Sequence, residues 1–554
     1  MLPCVLRSIA RSLPIFIAAV SAYAQESNPD LLLLRGHIFT SDTTRPWVEA
    51  LAVRGDRIVA VGSTAELEKL AGTATRTLDL GGRTVIPGLN DAHIHIGLGW
   101  PGEDVSTGPN PFADPGRQLT ADSLSSAVKR IPAGTWLKIA VGSTILDDSL
   151  ARRDWLDSIA PDHPVRLRGW SGHGSVFNSR ALEMLQLSDS TRDPMGGWFG
   201  RDARGRLTGL AHEYAQYMPD IAAGKAMSPA ERVSRVRKEL DGLAALGLTT
   251  IQNMEGTTPE VSAQVFAGDD LPVRVRVISF IHPTPDGRNL DPSLPPTRPE
   301  RIGPLAYATG VKYILDGTPI ERLALMRQAY TDRPGWHGHL NFPVDTIRAI
   351  LREGLESHTQ TTLHAVGDST IALVLRLMTE LAPDSTWRRE RLRLEHGDGL
   401  AHDLFPLTKR LGIIISQNPS HLMVGPLLAV RYGDTRAKSL QPMRSLFEAG
   451  IPLALGSDGP VNPFLNIMFA VAYPDNPSER LTVEQAVWAY TSGSAFAEFK
   501  ETEKGTLAPG MVADLAVLSQ DIFSVPVEAL PGTTTVLTLV GGRVVHDAGV
   551  VGKR

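Results

Sequence analysis

Eight short apolar, strand-like runs occur in order through the middle of the chain, at residues 85–95, 249–253, 273–280, 311–315, 361–364, 392–396, 413–417 and 453–458. Helical stretches separate most of them, among them 230–246, 344–356, 369–381 and 443–449. Strand–helix alternation repeated eight times predicts a closed parallel sheet ringed by helices, the (β/α)8 TIM-like barrel of the α/β class. An open doubly wound sheet is the alternative, and it normally carries a glycine-rich phosphate loop after its first strand. No such loop follows residue 95. A chain of 554 residues with 42% hydrophobic residues can bury a core of this size and still supply further units.

The barrel is assigned residues 85–501, yet its first and second strands stand about 150 residues apart, far beyond an ordinary βα connection. Residues 97–246 are therefore expected to form an insertion. It leaves from the C-terminal end of strand one, where barrel active sites are built. Strand-like pieces at 136–141 and 165–169, with Trp100, Trp170, Trp198 and Phe199, suggest a lid or substrate-pocket unit. Most such aromatics pack cores; Trp170 and His173 are the candidates for substrate contact. At both chain ends, short strands are punctuated by glycine turns, at 31–34, 47–53 and 57–62 and again at 513–518 and 535–545. A small β-sandwich domain assembled from 25–84 and 502–554 is the expectation.

The first 24 residues read differently. Arg7 and Arg11 precede the apolar stretch 13–20, and Ala22-Tyr23-Ala24 fits a small-x-small cleavage site. This order predicts a signal peptide at 1–24 and a periplasmic or secreted protein with no stable membrane anchor. An N-terminal anchor is the alternative, and the shortness of the apolar stretch counts against it. Cleavage would remove Cys4, the one cysteine, leaving no thiol for disulfides, metal or nucleophilic catalysis. With a formal charge of −5 and no basic run, the chain is not expected to bind nucleic acid.

The first barrel run closes on His93-Ile94-His95. Side chains two apart on a strand project the same way, so both imidazoles can serve one metal ion. Alone the pair says little, since two polar strand residues would look the same. Further along, Lys312 sits in the fourth run, His364 closes the fifth, His396 ends the sixth and Asp458 the eighth. A barrel brings these strand ends around one mouth. A lysine inside an apolar strand is costly to bury as an ammonium, so it snorkels, pairs or loses its charge. Carbamylation by carbon dioxide would make Lys312 a carboxylate able to bridge two cations; a salt bridge to Asp316 or another carboxylate is the alternative.

The order of these residues resembles the amidohydrolase superfamily. Pro87-Gly88-Leu89-Asn90-Asp91-Ala92-His93, Val311-Lys312 with Asp316-Gly317, His364-Ala365-Val366-Gly367-Asp368, Leu394-Glu395-His396 and Gly456-Ser457-Asp458 narrow the likeness. So do Asn178-Ser179-Arg180-Ala181-Leu182, Asp193-Pro194-Met195-Gly196-Gly197 and Gly505-Thr506-Leu507-Ala508-Pro509-Gly510-Met511-Val512-Ala513-Asp514. Together they are similar to amidohydrolase family 3, the branch that includes N-substituted formamide deformylase-like enzymes. Asn90 departs from the pattern, because many relatives carry an apolar residue there.

The resemblance implies that His93 and His95 bind the more buried metal, with Asp458 as a further ligand. A carbamylated Lys312 would bridge to a second ion held by His364 and His396; a lysine left as an amine implies a mononuclear site. Zinc is the default divalent ion for nitrogen and oxygen ligands with an open position, and manganese, iron or nickel also fit. Coordination lowers the pKa of bound water toward ~7, so metal-bound hydroxide would attack an amide-type C–N bond. Asp458 would act as the catalytic base and hand the proton to the leaving nitrogen, while a metal or nearby imidazole stabilises the oxyanion. His421 and Asn418 are candidates for orienting a small-molecule substrate, with structural roles equally open. Asp91 or Asp368 would support the ligands. An esterase, lactonase or deaminase on the same site stays open, as does a catalytically silent small-ligand-binding protein. Fold analogy names neither the substrate nor the oligomeric state, although barrels of this kind are often homodimers.

Overall fold

Eight parallel strands pair in sequence order in the computed structural model. They are β1 (Leu89–Ile94), β2 (Leu248–Glu255), β3 (Arg274–Phe280), β4 (Ala306–Ile314), β5 (Thr361–Ala365), β6 (Arg393–His396), β7 (Ile414–Gln417) and β8 (Leu453–Leu455). The structure describes residues 28–97, 100–108, 114–225, 227–255, 259–288 and 300–553, so the expected leader 1–24 lies outside the described residues. The barrel closes through the chain just beyond β8. Asp458 N donates to His93 O at 2.8 Å, and Ile94 and Asp458 form a parallel bridge. The (β/α)8 barrel expected from the alternation is the fold.

The barrel's helices form because their apolar residues recur every three or four positions. Pro229–Ala245 buries Val236, Leu240, Leu243 and Ala244, and its Ser228 cap accepts from Glu231 N. Asp368–Leu381 buries Ile371, Val374, Leu375 and Met378 in the same way. Among the described residues no helix is long and apolar enough to cross a membrane.

The run 85–95 is two strands. Thr84–Pro87 pairs antiparallel with Leu515–Leu518 in another sheet, and β1 begins only at Leu89. Gly88 makes the crossing: its N–H donates to Asp514 O, and a Cβ there would lie 2.1 Å from Thr249 Oγ1. The break left no trace in hydropathy because both halves are buried on both faces and read as one apolar run.

Two further sheets mix strands from the two chain ends. A five-stranded one joins Gly552–Lys553, Arg76–Asp79, Leu31–Leu34, Ala50–Arg54 and Arg57–Gly62. A six-stranded one joins Arg543–Asp547, Thr535–Val540, Leu515–Leu518, Thr84–Pro87, His37–Phe39 and Trp47–Val48. Leu33, Leu51, Val53, Val85, Val517 and Leu539 from both sheets share one core. Between β1 and β2 lies a third six-stranded sheet, in the order Gly197–Arg201, Leu207–Glu213, Gly174–Phe177, Val165–Gly169, Leu137–Val141 and Glu103–Asp104.

Below the mouth, the barrel interior is polar. Arg276 donates to Gln252 and Gln360, and Glu498 accepts from Asn90, Tyr307 and Lys504. Each of these charged side chains has at least one polar partner, as buried charge requires. The barrel's seam is tight at Gly456, where an added Cβ would sit 2.4 Å from His93 N. A backbone neighbour cannot swing aside. We expect Gly456→Ala to cost about 1–3 kcal/mol and to lower the melting temperature; wild-type melting would contradict this packing.

Candidate active site

His93 is the best-held side chain at the mouth. It is fully buried on β1, and its Nδ1 lies 2.7 Å from Glu395 Oε2 on β6. Burial would raise the Glu395 carboxyl, but Arg393 and His93 outweigh it and hold the group ionised, well below the usual range. Arg393 Nε sits 2.9 Å from Glu395 Oε1, and both side chains are fully buried. An ionised carboxylate only accepts, so Nδ1 of His93 carries the proton and Nε2 keeps its lone pair. Burial, then Lys312, hold the ring below its ordinary pKa and so neutral.

His95 lies one residue past β1. Its Nδ1 faces Met254 O at 2.8 Å, and a carbonyl also only accepts. Both Nε2 lone pairs therefore point inward, 3.3 Å from each other. Asp458 Oδ1 closes the group at 3.8 Å from His93 Nε2 and 3.5 Å from His95 Nε2. His396 joins from β6, with Nδ1 2.9 Å from Asn418 Oδ1 and its ring 4.7 Å from that of His93. Ligand atoms of His93, His396 and Asp458 all lie within 4.8 Å of one another. Electron pairs converging without a donor repel, and a divalent cation is what such a set fits.

Two of these residues adopt left-handed backbone, His396 at φ 67° and Asp458 at φ 52°. Such conformations cost about 1–3 kcal/mol each and persist where surroundings impose them. Asp91 supplies part of that imposition. Its Oδ1 accepts from His93 N and Ser457 N, and Tyr490 donates to its Oδ2. Asp368, the other candidate support, binds Arg327 N at a helix start instead.

Lys312 on β4 and His364 on β5 face the same cavity. Lys312 is 2% exposed, its Nζ touches Met254 Sδ at 3.3 Å, and burial pulls its pKa down to about 8. The salt bridge to Asp316 does not form. That carboxylate accepts from Leu325 N, Val366 N, Gly367 N and Thr370 Oγ1, which leaves it fully engaged in the β4–β5 loops. His364 packs 4.5 Å from the His396 ring, and its Nε2 is buried without a partner.

The outer contacts divide. His421 Nε2 lies 3.4 Å from Asp458 Oδ2; burial would lower its pKa, but Asp458 raises it. Trp170 and His173 line the cavity. His173 is braced by Glu213, whose two oxygens both lie 3.0 Å from its Nδ1, and its ring is 4.9 Å from His364. Asn418 does not contact the cavity. It is fully buried and spends its oxygen on His396 Nδ1, behind the ring rather than in the open cavity. Sequence reasoning gave Glu395, Arg393 and Glu213 no role. Arg393 and Glu395, two apart on an apolar strand, carried a usable signal, since two charges buried on one side survive only paired. Glu213 carried none.

The cavity above these groups has a volume of about 810 Å3 and is walled on one side by the insertion. A barrel with this donor set at its C-terminal mouth defines a metal-dependent hydrolase, and solved structures share its fold. Two uncharacterized metal-dependent hydrolases, from Pyrococcus furiosus and Pyrococcus horikoshii OT3, each superpose with TM-score 0.67. They are 23% and 20% identical, spanning 89% and 90% of this chain and 100% and 99% of their own. The amidohydrolase family model matches residues 76–546, and the chain belongs to that family. Protein LONG AFTER FAR-RED 3 of Arabidopsis thaliana is 30% identical over 93% of this chain and 91% of its own. The putative amidohydrolase YtcJ of Bacillus subtilis (strain 168) is 28% identical over 92% and 98%. N-substituted formamide deformylase of Arthrobacter pascens is 25% identical over 91% and 95%.

If Glu395 sets the tautomer of His93, then Glu395→Gln weakens divalent-metal affinity by about 10–100-fold in competition with a chromophoric chelator. Unchanged affinity would show that the carboxylate does not orient the ring.

Proposed function

We propose that this amidohydrolase-family protein is an exported hydrolase that cleaves an amide-type C–N bond of a small molecule. The observation that carries the reading is the convergence of His93, His95 and His396 nitrogens on Asp458 with no hydrogen-bond donor among them. The order of charged, apolar and small residues in 1–24 supports export. In this reading His93, His95 and Asp458 would hold one ion, zinc by default, and His364 and His396 would hold a second. Lys312 would serve both as a carbamate, which its burial with no ion pair formed supports. A divalent cation supplies Lewis acidity and acidifies water toward ~7.

The chain's own groups do the rest. Asp458 takes the proton of the attacking water and returns it to the departing nitrogen, a transfer its partly open carboxylate can make in either direction. His421, beside Asp458 Oδ2, holds that carboxylate in place and can donate to the substrate carbonyl. Glu213 fixes His173 over the same space, where its ring restricts how the acyl group enters. The name of the formamide deformylase relative supports a small acyl group as the first substrate to try.

With saturating metal, Asp458→Asn should lower kcat on a formamide or N-acyl substrate by about 10²–10⁴-fold, while a thermal melt stays near wild type. Full activity in that variant would remove Asp458 as the base. Turnover of esters or amino-heterocycles but no amide would move the reaction to esterase or deaminase chemistry on the same site.

A further inference from the structure

The insertion sheet turns one face to the cavity. Leu137–Val141 and Val165–Gly169 pair parallel, with Lys138 opposite Arg166 and Ala140 opposite Arg168. Strand alternation sends Leu137, Val141, Val165 and Leu167 into the insertion's own core. Lys138, Arg166 and Arg168 therefore project over the substrate space, and all three line it. Two of these cations are already answered. Lys138 donates to Trp100 O and pairs with Asp104 at 3.2 Å. Arg166 pairs with Asp220 at 2.6 Å and stacks 4.1 Å over Trp100. Arg168 is exposed to the cavity and has no hydrogen bond, ion pair or ring partner among the described residues.

A second group on this side of the cavity is equally unspent. His282 follows β3, and both its ring nitrogens are buried with no partner. Its ring packs 4.6 Å from Phe280 and 5.7 Å from Tyr217. Tyr217 shares the cavity wall with Arg168, and its own hydroxyl is already spent on Gly172 O at 3.0 Å. A buried imidazole nitrogen without a partner costs free energy that a ligand can recover.

We propose that Arg168 and His282 form a carboxylate-binding subsite, so that the preferred substrate carries an acid group away from the scissile bond. The guanidinium offers a planar fork of donors that matches a carboxylate, and the imidazole N–H adds a third donor. Aspartate charge nearby does not oppose this, since Asp220 is neutralised by Arg166. The cavity of about 810 Å3 has room for an acyl group, a side chain and the acid together. The inference rests on the hydrolase reading of the His/Asp cluster, and it adds to that reading the class of molecule delivered there.

The test uses the metal-loaded full chain and a matched pair, N-formylphenylalanine and its decarboxylated counterpart N-formylphenethylamine. The wild type should favour the acid in kcat/KM by about tenfold or more, the worth of a charge-assisted hydrogen-bond pair. Arg168→Gln should bring that ratio toward one through KM, and Arg168→Lys should restore part of it. A wild-type preference for the neutral compound, or a ratio untouched by Arg168→Gln, overturns the subsite. Calorimetric titration of the acid into Asp458→Asn protein, with and without Arg168→Gln, reads the subsite without turnover. Binding that depends on Arg168, with wild-type protein hydrolysing neither compound, would sink the hydrolase reading alone. Binding that ignores Arg168→Gln and His282→Phe would sink the subsite whatever is hydrolysed.

Discussion

The hydrogen bond from His93 Nδ1 to Glu395 is the contact on which the site depends. An imidazole has two nitrogens and one proton when neutral, and whichever nitrogen donates leaves the other as a lone pair. Glu395 takes the donor role away from the mouth, Met254 O does the same for His95, and Asn418 for His396. Three rings are thereby set to present electron pairs to one point. Had Nδ1 of any ring faced water, both tautomers would be populated and affinity for a cation would fall. Glu395 can do this only while ionised, and burial alone would protonate it. Arg393, equally buried beside it, supplies the opposing charge.

That pairing reaches into the barrel floor. Arg393 also donates to Ala92 O and Gln252, and Gln252 in turn accepts from Arg276. His93 thus sits at the end of a charged chain that crosses several strands. A buried ion pair of this kind adds little net stability, and an apolar floor would serve the fold as well or better. What the network provides is direction. Each member constrains the orientation of the next, and the last member is the ring of His93 at the mouth.

How far this was legible from sequence follows from where the signals lie. Eight runs of strand period and the helical repeats between them give the barrel, because hydropathy reports burial and burial alternates with the elements. Six of the mouth residues were visible because His, Lys and Asp at strand ends stand out against apolar runs. The crossing at Gly88 was hidden, since a strand buried on both faces looks the same whichever sheet it joins. Glu213 was hidden for another reason. Its partner His173 lies just before a neighbouring insertion strand, and nothing periodic links the two positions. Sequence left Asn418 open between a substrate contact and a structural role, because residue type tells that an amide needs partners but not which way it turns to find them. Its oxygen goes to His396.

The insertion and the barrel divide the labour on physical grounds. Barrel strand ends are held by ladders on both sides, so groups needing fixed geometry belong there, and the histidines and Asp458 are on them. Among the described residues the sheet added after β1 forms no ladder with the barrel, so its cavity face can vary without disturbing the barrel's histidines. Two of its three cations are neutralised within the insertion side of the cavity, by Asp104 and Asp220, which holds the wall together without a ligand. The remaining one, Arg168, is exposed to the cavity and has no protein partner among the described residues, so its donors are open to an anionic group. A chain that uses Asp458 and Glu395 as its own anions near the floor gains by meeting a negatively charged molecule with a cation higher up, where the ligand's charge is kept off those carboxylates.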